Sequence, residues 1–137
     1  MIEPIPDYKN LDLSGEAVQA AARMEARARE AASQEMFRQL VAPLVRPEIK
    51  TVLEFGCGTA ALSRRIARAA PQATLYAGDK SSGMIEAARR LVDSEQVPNI
   101  RLARWDVLDE AAFPFPAEQF DLIISSVVVP FLDDAET

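Results

Sequence analysis

The stretch VLEFGCGTA, residues 52–60, places one acid and two glycines at a spacing that suits a ligand-binding turn. Glu54 lies inside an apolar run, and Gly56 and Gly58 follow it on either side of Cys57. Glycines let the backbone turn tightly and let a ligand approach where a Cβ would otherwise block it. A helix after such a turn offers unpaired N–H groups and the positive end of its dipole. We therefore predict a nucleotide-type ligand at this turn.

Two aspartates follow the next two predicted strands. Asp79 ends the second strand about 20 residues after Gly58, where an acid can accept hydrogen bonds from both hydroxyls of a ribose. Asp106 follows the third strand, where it can accept from the exocyclic amine of an adenine, although Asp109 is a rival. The neighbours of Asp106, Trp105 and Val107, suit either the wall of an adenine site or the core.

Two classes of ligand fit this layout. Gly56, Gly58 and Ala61 formally satisfy the dinucleotide pattern G-x-G-x-x-G/A, which is a weak signal alone. Glu54 separates the two classes, because an acid two residues before the first glycine repels a pyrophosphate. A ligand with a sulfonium and an ammonium group tolerates that acid. The residues therefore favour S-adenosylmethionine over NAD(P).

Strand-like and helix-like segments alternate after residue 49, which predicts βαβ units and a parallel sheet. An N-terminal region rich in Ala, Glu and Arg predicts one helix from Ser14 to about Leu44. The predicted strands cover 50–55, 73–78, 99–104 and part of 118–129, and the predicted helices between them cover 61–70 and 82–94, the second capped by Ser81 or Ser82.

Four motifs in order resemble those of a class I S-adenosylmethionine-dependent methyltransferase, specifically its N-terminal, cofactor-binding portion. They are VLEFGCGTA, YAGDKSSGMIEAARR, ARWDVLD and FDLIISS. The resemblance implies a Rossmann-like three-layer α/β/α fold with a mostly parallel sheet. The expected strand order is 3-2-1-4, truncated after the fourth strand. It also implies a helical lid segment over residues 1–48 and a cofactor-binding core over residues 49–137.

The resemblance also assigns residues to S-adenosylmethionine and its product S-adenosylhomocysteine. Met84 is expected beside the adenine and Ser125 near the methionine end, while Lys80 follows the ribose acid where relatives have an apolar residue. The full set expected to bind the cofactor is Glu54, Gly56, Cys57, Gly58, Asp79, Lys80, Met84, Asp106, Val107 and Ser125. Relatives often have a third glycine where this chain has Ala60.

Composition limits the remaining choices. A net charge of -6 argues against a nucleic-acid partner, and the apolar stretch 122–132 is too short to span a membrane. The sequence has one cysteine, so a cytoplasmic setting is expected, and its lack of histidine removes the commonest general base. No metal site and no catalytic base are predicted; Tyr8, Asp133 and Asp134 are weak candidates for the base. The expected acceptor is a small molecule.

Two other functions also fit the sequence. A non-catalytic cofactor-binding module, or a half-enzyme that needs a partner, also fits four strands, because the apolar fourth strand would be an edge suited to a homodimer or partner. A NAD(P)-binding oxidoreductase fragment is the third possibility.

Overall fold

The computed structural model describes residues 6–116 and 119–125 and contains a four-stranded parallel sheet. Its strand order is β3-β2-β1-β4, as predicted, so the Rossmann-like fold class is confirmed. The strands are β1 (Thr51–Phe55), β2 (Thr74–Asp79), β3 (Ile100–Arg104) and β4 (Leu122–Ile124).

Helices α4 (Ala61–Ala69) and α5 (Ser82–Glu95) connect the first three strands and cover one face of the sheet. Successive residues of a strand point to opposite faces, and Val52 and Leu75, which are in register, both face these helices. They form a buried cluster with Ile66 of α4 and Ile100 of β3. This core fixes the strands, so that the turns at their carboxyl ends lie side by side.

Aromatic side chains from the loop after β3 cover part of the opposite face. The ring of Tyr76 lies 5.3 Å from that of Phe115, and the ring of Trp105 lies 5.2 Å from that of Phe113. Trp105 also packs on Gly78, where an added Cβ would lie 3.0 Å from the indole. Trp105 is therefore a packing residue of the aromatic cluster in this structure.

The N-terminal segment differs from the single helix predicted between Ser14 and Leu44, and that prediction is wrong. Gly15 has a φ of 75° and ends a short first helix. Glu30 has an extended backbone and separates the second helix from the third. The segment consists of α1 (Leu11–Ser14), α2 (Ala17–Ala28) and α3 (Ala31–Met36), then a π-helical turn (Phe37–Val41) and a 3-10 turn (Ala42–Leu44).

Two separate packing surfaces explain these breaks. Ala20 and Ala21 of α2 are buried against Met84 of α5, at the top of the helical layer. Phe37 and Val41 pack instead against the core cluster that contains Val52, Ile66 and Leu75. A straight helix cannot place both apolar sets on these two surfaces. Within the residues described, no helix is long and apolar enough to cross a membrane.

Candidate functional site

The turn between β1 and α4 follows a backbone path that glycine favours. Gly56 and Gly58 have φ values of 63° and 56°, in the left-handed region. Ala60 has a φ of 61°, so this alanine adopts the conformation that a glycine would adopt more easily. The Cys57 N–H donates to the Gly78 carbonyl over 3.0 Å and joins the turn to β2.

Asp79 lies at the end of β2 and holds both neighbouring turns. Its Oδ2 accepts a hydrogen bond from the Gly58 N–H, and its Oδ1 accepts one from the Ser81 N–H, each over 2.9 Å. Burial raises the pKa of Asp79, and these backbone hydrogen bonds partly oppose that effect. The predicted ribose acid and the predicted glycine turn are therefore brought together by a direct contact.

Glu54 is almost fully buried in the middle of the sheet, with 1% of its surface exposed. It points towards α4, where the Ser63 hydroxyl donates to Glu54 Oε1 over 2.7 Å. Burial raises the pKa of Glu54 to about 7, and the hydrogen bonds from Ser63 oppose the rise. The carboxyl therefore changes its charge near neutral pH.

Asp12 of α1 is a third acid, and its charge acts on Asp79. Its carboxylate accepts hydrogen bonds at the start of α5 from the Ser81 hydroxyl (2.6 Å) and from the N–H groups of Ser82 (2.7 Å) and Gly83 (3.1 Å). Partial burial opposes ionisation of Asp12, but these hydrogen bonds outweigh it and lower its pKa.

The three acids affect one another. The charge of Asp12 raises the pKa of Asp79, and the charge of Asp79 raises that of Glu54. A region in which carboxyl groups already repel one another suits a cationic ligand and disfavours a pyrophosphate. The described residues contain no cluster of side chains that could hold a metal ion.

Helix α2 crosses above the glycine turn. Met24 lies so close to Gly58 that an added Cβ would come within 2.4 Å of its sulfur. Next to it, Glu25 Oε2 accepts a hydrogen bond from the Thr59 hydroxyl over 3.0 Å. Glu25 also pairs with the buried Arg64 of α4, which in turn pairs with Glu95 of α5. The N-terminal segment is therefore anchored to the turn itself.

A cleft of about 200 Å³ opens between the N-terminal segment and the ends of β2 and β3. Lys80, Arg104, Leu11 and Leu13 are among the residues that line it. The remaining lining residues are Tyr8, Lys9, Asn10, Asp12 and Ser81. A larger cleft of about 370 Å³ is lined by the C-terminal turn of α5 and by arginines of α4. Of these two clefts, the smaller is lined by Lys80, one of the residues predicted to bind a ligand, so it is the candidate entrance.

The other predicted residues lie at varied depths. Cys57 is buried, which raises the pKa of its thiol far above the usual value, and Met84 is fully buried beneath α2. Asp106 accepts a hydrogen bond from the Leu108 N–H over 3.1 Å, and Val107 beside it is half-buried. Ser125 is exposed just beyond β4. The predicted roles of these five side chains as cofactor ligands remain predictions, and Asp133 and Asp134 lie outside the described residues.

Sequence patterns gave no sign of Asp12 and Glu25 as contacts of the site. Each meets its partner across a long stretch of chain, 69 residues for Asp12 and Ser81 and 34 for Glu25 and Thr59. Of the residues that contact these acids, Ser81 was correctly predicted as a candidate cap of α5. Its hydroxyl accepts a hydrogen bond from the Met84 N–H over 3.1 Å.

A parallel sheet of order 3-2-1-4, with a glycine turn after the first strand and an acid after the second, defines a Rossmann-like ligand-binding domain. Residues 52–137 match the family described as "Methyltransferase domain", which is well over half of the chain. The chain therefore belongs to the class I S-adenosylmethionine-dependent methyltransferases.

Individual relatives agree with this family. The chain is 33% identical over 88 residues to a malonyl-[acyl-carrier protein] O-methyltransferase of Halalkalibacterium halodurans, covering 64% of this chain and 32% of the relative. It is 38% identical over 85 residues to an aklanonic acid methyltransferase of Streptomyces sp. strain C5, covering 61% and 37%. The chain thus matches about a third of the length of these relatives.

The fold also matches a solved methyltransferase. The structure of an S-adenosylmethionine-dependent methyltransferase from Aquifex aeolicus superposes with a TM-score of 0.64 at 18% identity, covering 82% of this chain and 60% of the other. At this identity the match supports the fold alone.

Proposed function

We propose that the glycine turn, Asp79 and Glu54 bind S-adenosylmethionine. The observation that carries the proposal is the contact between Asp79 and the Gly58 N–H, over 2.9 Å, at the adjacent ends of β1 and β2. This contact supports the proposal because it holds Asp79, the proposed ribose acid, beside the glycine turn. The chemistry of the donor set fits the cofactor, because it is rich in carboxyl groups and the cofactor carries a sulfonium and an ammonium group.

Each residue then has a separate task. Each carboxylate oxygen of Asp79 accepts one backbone hydrogen bond and has a second lone pair. These second lone pairs accept hydrogen bonds from the ribose hydroxyls. Glu54 supplies negative charge beneath the turn, and a nearby cation favours its ionised form. Asp106 and Val107 serve the adenine. Residues 1–48 act as the lid over this site.

The same proposal extends to Gly56, which shapes the turn, and to Lys80, which lines the entrance cleft. Met84 supports the adenine side from beneath α2, and Cys57 fills the small space inside the turn. Ser125 lies beyond the end of β4, next to the expected methionine end of the ligand.

We further propose that the methyl acceptor is a carboxylate oxygen. The names of two relatives give an acid or an acyl group as the methyl acceptor, namely malonyl-[acyl-carrier protein] and aklanonic acid. S-adenosylmethionine supplies a methyl group already activated by a sulfonium leaving group, so the protein needs to align the acceptor and keep the site dry. A carboxylate attacks in its ionised form and has no proton to lose, so it needs no general base.

Calorimetric titration with S-adenosylmethionine, with NAD as the competing ligand class, tests the cofactor. We expect micromolar binding of S-adenosylmethionine, none of NAD, and loss of binding in Asp79→Ala. The matched control is Asp93→Ala, which removes an exposed acid from α5 and should bind as the wild type does. Binding of NAD, or an Asp79→Ala variant that binds as the wild type does, would contradict the proposed site.

Transfer of a labelled methyl group to malonyl-acyl-carrier protein tests the acceptor, with acetyl-acyl-carrier protein as the substrate that lacks the free carboxylate. Label on the malonyl form alone supports a carboxylate acceptor. Equal labelling of both forms would overturn it. Binding without transfer to either form would favour the cofactor-binding module over the enzyme.

A further inference from the structure

Asp12 caps a helix that is distant from it in the chain. The first N–H groups of α5 have no partner within the helix, and the positive end of the helix dipole favours an anion there. The Asp12 carboxylate accepts from the N–H groups of Ser82 and Gly83, over 2.7 and 3.1 Å. Docking of the N-terminal segment therefore supplies the acceptor for the first N–H groups of α5.

Ser81 connects this cap to the proposed ribose acid. Its hydroxyl donates to Asp12 over 2.6 Å, while its N–H donates to Asp79 Oδ1 over 2.9 Å. The same hydroxyl accepts from the Met84 N–H, and the whole residue is buried. These hydrogen bonds fix the position of Ser81, and the Ser81 N–H in turn orients the carboxylate of Asp79.

Close packing brings Asp12 into this place. An added Cβ on Gly83 would lie 2.4 Å from the Ala17 Cβ, so α2 begins in direct contact with the first turn of α5. Leu11, next to Asp12, is buried against the same helices. Apolar contacts thus set the position of α1, and this position brings the Asp12 carboxylate within hydrogen-bond distance of Ser81.

We propose that Asp12 is a positioning residue for the cofactor, which acts on Asp79 through Ser81. This inference rests on the proposed function, since it assigns to Asp79 the ribose of S-adenosylmethionine. Docking of the N-terminal segment therefore prepares the ribose-binding carboxylate as well as covering the site. Removal of the Asp12 carboxylate weakens binding of any ligand that carries the ribose.

The test uses the full chain and S-adenosylhomocysteine as the calorimetric probe. We expect Asp12→Ala to raise the Kd about tenfold, since hydrogen bonds to a charged group are lost at Ser81. Asp7→Asn is the matched control, because Asp7 is an exposed acid of the same segment whose carboxylate accepts hydrogen bonds from its near neighbours Lys9 and Asn10. It should leave the Kd unchanged. Asp12→Asn keeps the shape of the side chain and replaces Asp12→Ala if the alanine variant does not fold.

A double-mutant cycle with Asp79→Asn separates positioning from general stability. If Asp12 acts through Asp79, Asp12→Ala should change the Kd less than twofold in the Asp79→Asn background. A full tenfold loss in that background overturns the role, and so does an Asp12→Ala variant that binds like the wild type. A wild-type chain that does not bind S-adenosylhomocysteine overturns the proposed function and this role together.

Discussion

Ser63 of α4 donates a hydrogen bond to Glu54 of β1 over 2.7 Å, and both side chains are buried. A serine hydroxyl can donate to the carboxylate or accept from the protonated acid, so this pair accommodates both charge states of Glu54. The proposed cofactor site therefore has a titrating group in the core of the sheet rather than at its surface.

The raised pKa of Glu54 predicts how Glu54→Gln changes stability with pH. Because the pKa rises from 4.5 to about 7 on folding, the favourable contribution of the protonated acid is complete below pH 4.5 and is lost as the pH rises to about 7. We expect Glu54→Gln to match the wild type near pH 4.5 and to be more stable at pH 8, by at most about 3 kcal/mol.

Urea unfolding at several pH values measures this difference. Glu86→Gln serves as the control, since Glu86 is an exposed acid of α5. A Glu54→Gln variant that is no more stable than the wild type at pH 8 would show that Glu54 is not destabilised by its burial.

Arg64 is the centre of an ion-pair network that joins three helices. It pairs with Glu25 of α2 and Glu95 of α5, and only 6% of its side chain is exposed. Arg64→Ala removes the cation that two partly buried carboxylates share, while Glu95 keeps Arg68 and Glu25 keeps the Thr59 hydroxyl. We therefore expect a loss of about 2 kcal/mol in the free energy of unfolding. The exposed pair of Arg90 with Glu86 is the control, and Arg90→Ala should cost about 0.5 kcal/mol or less. Equal losses in the two variants would mean that the network contributes no more than a surface pair.

Gly83 is required for the close approach of α2 and α5. In Gly83→Ala the new methyl group meets the Cβ of Ala17, which is fixed to a helix and cannot rotate away. We expect α2 to be displaced at a cost of about 1–3 kcal/mol, with faster amide hydrogen exchange in α1 and α2. Ser82→Ala, at the exposed neighbouring position, should leave exchange in α1 and α2 unchanged. Unchanged protection in Gly83→Ala would show that the N-terminal segment does not depend on this contact.

Asn99 ties the end of α4 to the start of β2. Its side-chain amide lies within 3.1 Å of the carbonyl oxygens of Ala67, Ala70 and Ala73. Asn99→Ala removes this donor from all three carbonyls, of which that of Ala70 still accepts from the Ala73 N–H, and we expect a loss of about 1–3 kcal/mol. Asn99→Asp should cost more at neutral pH, because it places an anion against three carbonyl oxygens. Thermal unfolding compares both variants with Ser94→Ala, which removes an exposed hydroxyl. If Asn99→Ala lowers the stability no more than Ser94→Ala does, the hydrogen bonds of Asn99 do not stabilise the fold.

Local patterns sufficed to predict the strands and the two crossover helices. The run TVLEF is apolar enough to read as a buried strand, and Ser81 with the residues after it has the pattern of a capped helix. These elements depend on periodicity and on neighbours in the chain, so one sequence predicts them. The same holds for the meeting of Gly58 and Asp79, because parallel strands bring their carboxyl ends to one edge.

The N-terminal segment could not be predicted in this way. Arg29 and Glu30 are good helix formers, and the chain breaks there because α2 and the turn after α3 pack on different surfaces. Tertiary packing also decides the contacts of Asp12, whose neighbours in the sequence carry no sign of a partner 69 residues away. Sequence patterns therefore predicted the proposed ligand residues but not the residues that position them.

Cys57 gives the protein its own spectroscopic reporter. It is the single cysteine of the chain, it lies between the two glycines of the turn, and it is buried. A thiol reagent reaches it only when the turn opens, so no engineered probe is needed. At low reagent concentration the labelling rate reports the fraction of open turn, and at saturating reagent it reports the rate of opening.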